Sequence, residues 1–101
     1  MRVLGIDPGT ITMGYGVIES RQDEVTLVDY GALRNPERSP IGERLSYLYG
    51  ELMKIISHCQ PDAVAIEQPF FSNNISRPPI ISKFSAVAIL AAANRQIPVS
   101  E

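Results

Sequence analysis

The sequence predicts an α/β fold in which a mixed sheet opens as an antiparallel three-strand meander, continues with parallel strands and carries helices packed on it. Three observations point there. Early in the chain three apolar, β-rich segments follow one another with only turn residues between them, as in a meander. An amphipathic segment of helical period then leads into another short apolar run, the order of a strand–helix–strand crossover. Finally, two apolar runs, Val3-Leu4-Gly5-Ile6-Asp7 and Asp62-Ala63-Val64-Ala65-Ile66-Glu67, stop at a carboxylate, as buried parallel strands do when their C-terminal ends face a site.

Met1 to Asp7 reads as the first strand. Pro8-Gly9 follows as a turn pair, because proline presets φ and glycine accepts positive φ. Met13 to Glu19 reads as the second strand and Val25 to Leu33 as the third, joined through Arg21-Gln22-Asp23. Ser39-Pro40 is a helix start, with serine capping free amides and proline tolerated at the first helical position. A helix over about Pro40 to Ser57 is expected from Ile41, Leu45, Leu48, Leu52, Ile55 and Ile56, which recur at helical spacing and form one face for the sheet. Pro61 stops it, and Ala63 to Glu67 returns as a strand that could pair with the third strand or lie beside the first. A second helix, about Ser82 to Arg95, is rich in alanine, which permits close packing; Val87, Leu90 and Ala91 are expected to be buried in an interface with its own sheet or with a second chain. Ile97-Pro98-Val99 reads as the entry to a fifth strand.

With 101 residues the chain suffices for one small domain. A hydrophobic content of 45% with 20% charged residues excludes a disordered chain. The net charge of −2 argues against holding nucleic acid mainly through basic residues, so phosphate binding must be local or metal-mediated. The single cysteine, Cys59, excludes an internal disulfide and a cysteine-rich zinc site, which suggests a reducing compartment. Without an apolar stretch long enough for a signal peptide or membrane span, a cytoplasmic location away from membranes is expected. His58 beside Cys59 reads as a helix-terminal histidine favoured by the helix dipole. Arg34, Arg38 and Arg44 read as a solvated face.

Asp7 and Glu67 are the candidate catalytic and metal-binding residues. On neighbouring strands, with axes about 4.8 Å apart, both carboxylates could reach one divalent cation. Gly5-Ile6-Asp7-Pro8-Gly9-Thr10, Gly14-Tyr15-Gly16-Val17-Ile18-Glu19, Ile66-Glu67-Gln68 with Phe70-Phe71, Ala86-Val87-Ala88-Ile89-Leu90-Ala91-Ala92-Ala93-Asn94 and Pro98-Val99 resemble, in order and spacing, the RuvC family of Holliday-junction resolvases. The first motif alone is also similar to the phosphate-cradling hairpin of actin-like ATPases and sugar kinases; Ile66-Glu67-Gln68 separates the two.

The resemblance implies a ribonuclease H-like fold over residues 1–101, incomplete at its C-terminus, with the Glu67 strand parallel to and beside the Asp7 strand. It implies that Asp7 and Glu67 are two of four groups holding Mg²⁺, which activates water and stabilises charge during phosphodiester hydrolysis. The other two groups belong to a final helix beyond Glu101, so the chain by itself is expected to be inactive. Further implied are four-way junction DNA as substrate, a homodimer making paired cuts, and a branch-migration helicase complex as partner. The DNA-contacting candidates are Phe70, Phe71, Asn73 and Asn74, with Phe70 in the position of an aromatic that stacks on an unpaired base. Pro78-Pro79 forbids the continuous helix that the family usually has in this region. Two other readings compete: a non-catalytic junction-binding or dimerisation module, and an actin-like phosphate-binding fragment.

Overall fold

Alternation of apolar and small residues builds the first strand, β1 (Arg2–Asp7): in the computed structural model Leu4 and Ile6 are buried on one face, while Val3, Gly5 and Asp7 fall on the other. The structure describes residues 1–9, 11–67 and 80–101. Strand β2 (Thr12–Arg21) pairs antiparallel with β1, and β3 (Glu24–Arg34) antiparallel with β2. The β2–β3 register shifts between Val17 and Ile18, so that Val28 has no counterpart and bulges out of the ladder. Both strands run a residue or more beyond their expected ends.

Helix α1 (Ile41–Cys59) starts and stops later than its spacing suggested. Its N-cap is Pro40, without a side-chain capping hydrogen bond, so Ser39 does not cap it. At the other end Gln60 adopts the left-handed conformation (φ 48°) and donates its N–H to the Ile56 carbonyl at 2.8 Å, with Pro61 following. Leu48, Leu52 and Ile56, four residues apart, are the buried stripe, completed by Cys59; Leu45 and Ile55 flank it, and Ile41 is exposed.

Strand β4 (Ala63–Ile66) pairs parallel with β1, which settles the alternative left open by the sequence. Helix α2 (Ile80–Asn94) follows, and β5 (Val99–Ser100) adds parallel to β4. The sheet order is β3-β2-β1-β4-β5. Pro78 and Pro79 lie outside the described residues, and α2 begins immediately after them. Its buried face is Phe84, Ala88, Ala91 and Ala92. This corrects the expected one: Val87 is only half-buried and Leu90 is 52% exposed. Asn94 donates to the Tyr49 hydroxyl at 2.6 Å and Arg95 to the Ser57 hydroxyl at 2.6 Å, fastening the end of α2 to α1.

Both helices and the inward residues Leu4, Ile6, Met13, Val17, Val64 and Ile66 form one hydrophobic cluster. The opposite sheet face is left uncovered by the described residues. Among them, no helix is long and apolar enough to cross a membrane.

Candidate active site

Parallel pairing of β1 with β4 fixes the site. The register matches Leu4 with Val64 and Ile6 with Ile66, all four buried, and the Glu67 N–H donates to the Ile6 carbonyl at 2.9 Å. One residue further on, Asp7 and Glu67 leave the two strands at the same end, both exposed. Strand alternation turns them away from the helices, and both line an open groove of about 660 Å³ on the uncovered face.

Glycines shape that groove. Gly5, Gly14, Gly16 and Gly31 line it together with Val3, Ile18 and Ala65. Gly14 stands opposite Asp7 in the β1–β2 ladder, where a methyl group would meet the Asp7 Cβ at 3.9 Å, an ordinary van der Waals contact. The neighbouring turn holds Gly9 for a different reason than expected. No glycine among the described residues has positive φ. A Cβ at Gly9 would instead collide with the Thr12 carbonyl oxygen, so close backbone approach demands glycine there.

The donor set suits a hard divalent cation. Mg²⁺ is commonly held by one or two carboxylates, with water and substrate phosphate oxygens completing its shell. Two carboxylates are what these strand ends present, and among the described residues no group of three His, Cys, Asp or Glu side chains converges. Cys59 is remote in character: burial pushes its thiol up, which keeps it protonated and unreactive. His58 is exposed in the last turn of α1. Phe70, Phe71, Asn73 and Asn74 lie outside the described residues.

Two residues near this end of the sheet were not singled out by sequence reasoning. Asn35, just past β3, is 2% exposed, and its N–H donates to the Ile11 carbonyl at 2.7 Å. Arg44, read from sequence as part of a solvated face, is half-buried: its Nε donates to the Asn35 Oδ1 at 3.1 Å, and its guanidinium carbon lies 5.2 Å from the centre of the Phe84 ring. A polar residue next to a proline at a strand exit, followed by an arginine in the first turn of an amphipathic helix, is a weak signal; only burial gives it meaning.

A mixed five-stranded sheet with carboxylates at the ends of its two central parallel strands is the ribonuclease H-like arrangement. Residues 3–101 match the family described as Crossover junction endodeoxyribonuclease RuvC. A protein of that name from Dehalococcoides mccartyi is 52% identical over 101 residues, covering 100% of this chain and 60% of the relative. One from Chloroflexus aggregans is 48% identical, again over 100% of this chain, and 62% of the relative is covered. Among solved structures, T. thermophilus RuvC in complex with Holliday junction substrate superposes with a TM-score of 0.85 at 24% identity, over 98% of this chain and 62% of that one. This chain belongs to the RuvC family. It spans about three-fifths of the length of the curated relatives it matches.

Proposed function

We propose that this chain provides the N-terminal share of a junction-resolving endonuclease, in which Asp7 and Glu67 hold Mg²⁺ for hydrolysis of a DNA phosphodiester at a four-way junction. The observation that carries the proposal is the parallel β1–β4 register, which sets two carboxylates from distant parts of the sequence side by side at the mouth of one groove. Family membership supports the substrate, since relatives carry the junction endonuclease name and a structural neighbour is described with junction DNA.

When bound, Mg²⁺ would supply charge neutralisation at the scissile phosphate and a lowered pKa for an attacking water. The protein's own contribution is placement. Asp7 and Glu67 orient their oxygens from rigid strand ends, and Gly14 and Gly16 keep the floor low enough for a phosphate backbone to approach. The chain's net charge of −2 offers little general attraction for DNA, which makes the local cation the main anchor. Phe70, Phe71, Asn73 and Asn74 serve as DNA contacts, with Phe70 stacking on a base. The same reading includes a homodimer, because two equivalent cuts across a junction call for a two-fold pair of sites. A branch-migration helicase complex as partner and a cytoplasmic location complete it.

Two carboxylates leave most of a Mg²⁺ shell to other donors, so residues 1–101 alone are expected to show no junction cleavage. The direct test is a chimera in which these residues replace the matching 60% of the Dehalococcoides mccartyi relative. It should cut four-way junctions in Mg²⁺ and lose that activity with Asp7→Asn or Glu67→Gln, each of which keeps the shape and discards the charge. Cleavage that persists without Asp7 would rule out the metal role. Junction binding without any cleavage would favour the non-catalytic module.

A further inference from the structure

We infer that Arg44 is a positioning residue for the candidate site, clamping the loop that leaves Asp7 to the first turns of α2. The inference rests on the reading of Asp7 and Glu67 as a cation site, but its geometry is independent of that reading. Three segments meet at the Arg44 guanidinium. Its Nε donates to the Asn35 side-chain oxygen at 3.1 Å. Asn35, 2% exposed, turns its own N–H onto the carbonyl of Ile11 at 2.7 Å, in the loop between Asp7 and β2. The other side of the guanidinium faces the Phe84 ring, 5.2 Å from its centre and fully buried. Phe84 belongs to α2.

One side chain on α1 therefore links the loop that leaves Asp7, through Asn35 and Ile11, to Phe84 on α2. The chemistry is specific to arginine. Its planar guanidinium can donate in its plane to an amide oxygen while its face stacks on an aromatic ring, whereas a lysine ammonium offers neither the plane nor the fork. Mutating groups that lie beyond a metal's direct ligands and fix their placement typically costs about 10–100-fold in metal affinity or activity.

The experiment uses Arg44→Met, which keeps the aliphatic stem, and Arg44→Lys, which keeps the charge and carries the test if Arg44→Met does not fold. Two quantities are read on each. The first is the exchange rate of the Asn35 amide relative to that of Val17, a buried residue in the middle of the sheet. The second is Mn²⁺ affinity, followed by paramagnetic broadening of resonances from Gly5 to Asp7 and at Glu67. The expected result is selective acceleration of Asn35 exchange together with Mn²⁺ binding weakened about tenfold in both variants. Exchange of Asn35 that only follows Val17 would overturn the clamp. Faster Asn35 exchange with unaltered Mn²⁺ affinity would reduce Arg44 to a structural residue and overturn its positioning role. If the unmodified protein shows no Mn²⁺ broadening at Asp7 or Glu67, the cation reading of the site fails, and the exchange measurement alone then decides for or against the clamp.

Discussion

Glu19 illustrates how a single side chain can be read for its pH behaviour. Its carboxylate accepts from the Met1 ammonium at 3.2 Å and from the Arg2 Nε at 3.1 Å, and the ammonium above all, with Arg2, holds the group below the usual glutamate range. The folded-state pKa is thus depressed. Any stability gained from these contacts is present above the unfolded pKa of about 4.3 and is lost as pH falls through the lower folded value. Glu19→Gln should melt slightly lower than the unmodified protein at neutral pH, by little because largely solvated pairs contribute little, and should coincide with it in acid, where both side chains are neutral, so that its acid limb is shallower. An unaltered acid limb would assign the pH dependence to other carboxylates. At this scale the placement of Asp7 and Glu67 at strand ends was legible because each charged residue closes a short apolar run. Asn35 and Arg44 were not. Their significance lies in who faces whom across β3, α1 and α2, and that is a tertiary fact with no local pattern.

Helices show where pattern suffices and where it fails. In α1 the apolar residues stand on one side, so the buried stripe Leu48, Leu52 and Ile56 followed from spacing, although Ile41 of the expected face is exposed and both ends lie later than expected, with Pro40 as N-cap and Gln60 as C-cap. In α2 nearly every residue is apolar or small, and the sequence offers no polar face from which to infer the buried one. Packing chose Phe84, Ala88, Ala91 and Ala92, and Leu90 points outward at 52% exposure. Ala88→Leu should therefore cost about 1–3 kcal/mol through overpacking. Leu90→Ala should cost no more than about 0.5 kcal/mol in the isolated chain. Urea denaturation of the two variants measures both, and the reverse order would mean that α2 is rotated about its axis. The meander strands were legible for a simpler reason, since turn residues separate them. Their true lengths were not, because the β2–β3 ladder extends by cross-strand pairing that no single strand encodes.

Across the whole molecule the sequence left one topological choice open, whether the fourth strand pairs with the third or lies beside the first. The structure places it beside the first. The difference decides whether Asp7 and Glu67 stand side by side. On the third strand's outer edge Glu67 would be separated from Asp7 by two intervening strands, and no shared cation could form. Beside the first strand, the same residue completes a pair. Hydrophobic burial explains the outcome: β1 and β4 each have alternate residues that are fully covered, Leu4 and Ile6 in one, Val64 and Ile66 in the other, while β3 is exposed along most of its length. Burial by α1 and α2 thus sets the sheet order, and the sheet order sets which strand ends stand together.

On the proposed reading of Asp7 and Glu67 as a cation site, the β1–β4 register also makes the fold itself a sensor of that ion. Like charges on neighbouring strand positions oppose pairing by roughly 0.2–1 kcal/mol. A cation that binds only the assembled pair reverses this and adds stability by mass action, about 2.7 kcal/mol at a hundredfold excess over its dissociation constant. Asp7→Asn should accordingly melt slightly higher than the unmodified chain in EDTA, yet gain nothing when Mg²⁺ is added, whereas the unmodified chain should rise with Mg²⁺ concentration. Melting curves with and without the ion would show it, and identical Mg²⁺ responses in both proteins would sever the link. Where the response holds, the chain gives up some stability in the absence of the ion in order to be ready for it, and Mg²⁺ is as much a part of its folding equilibrium as of its chemistry.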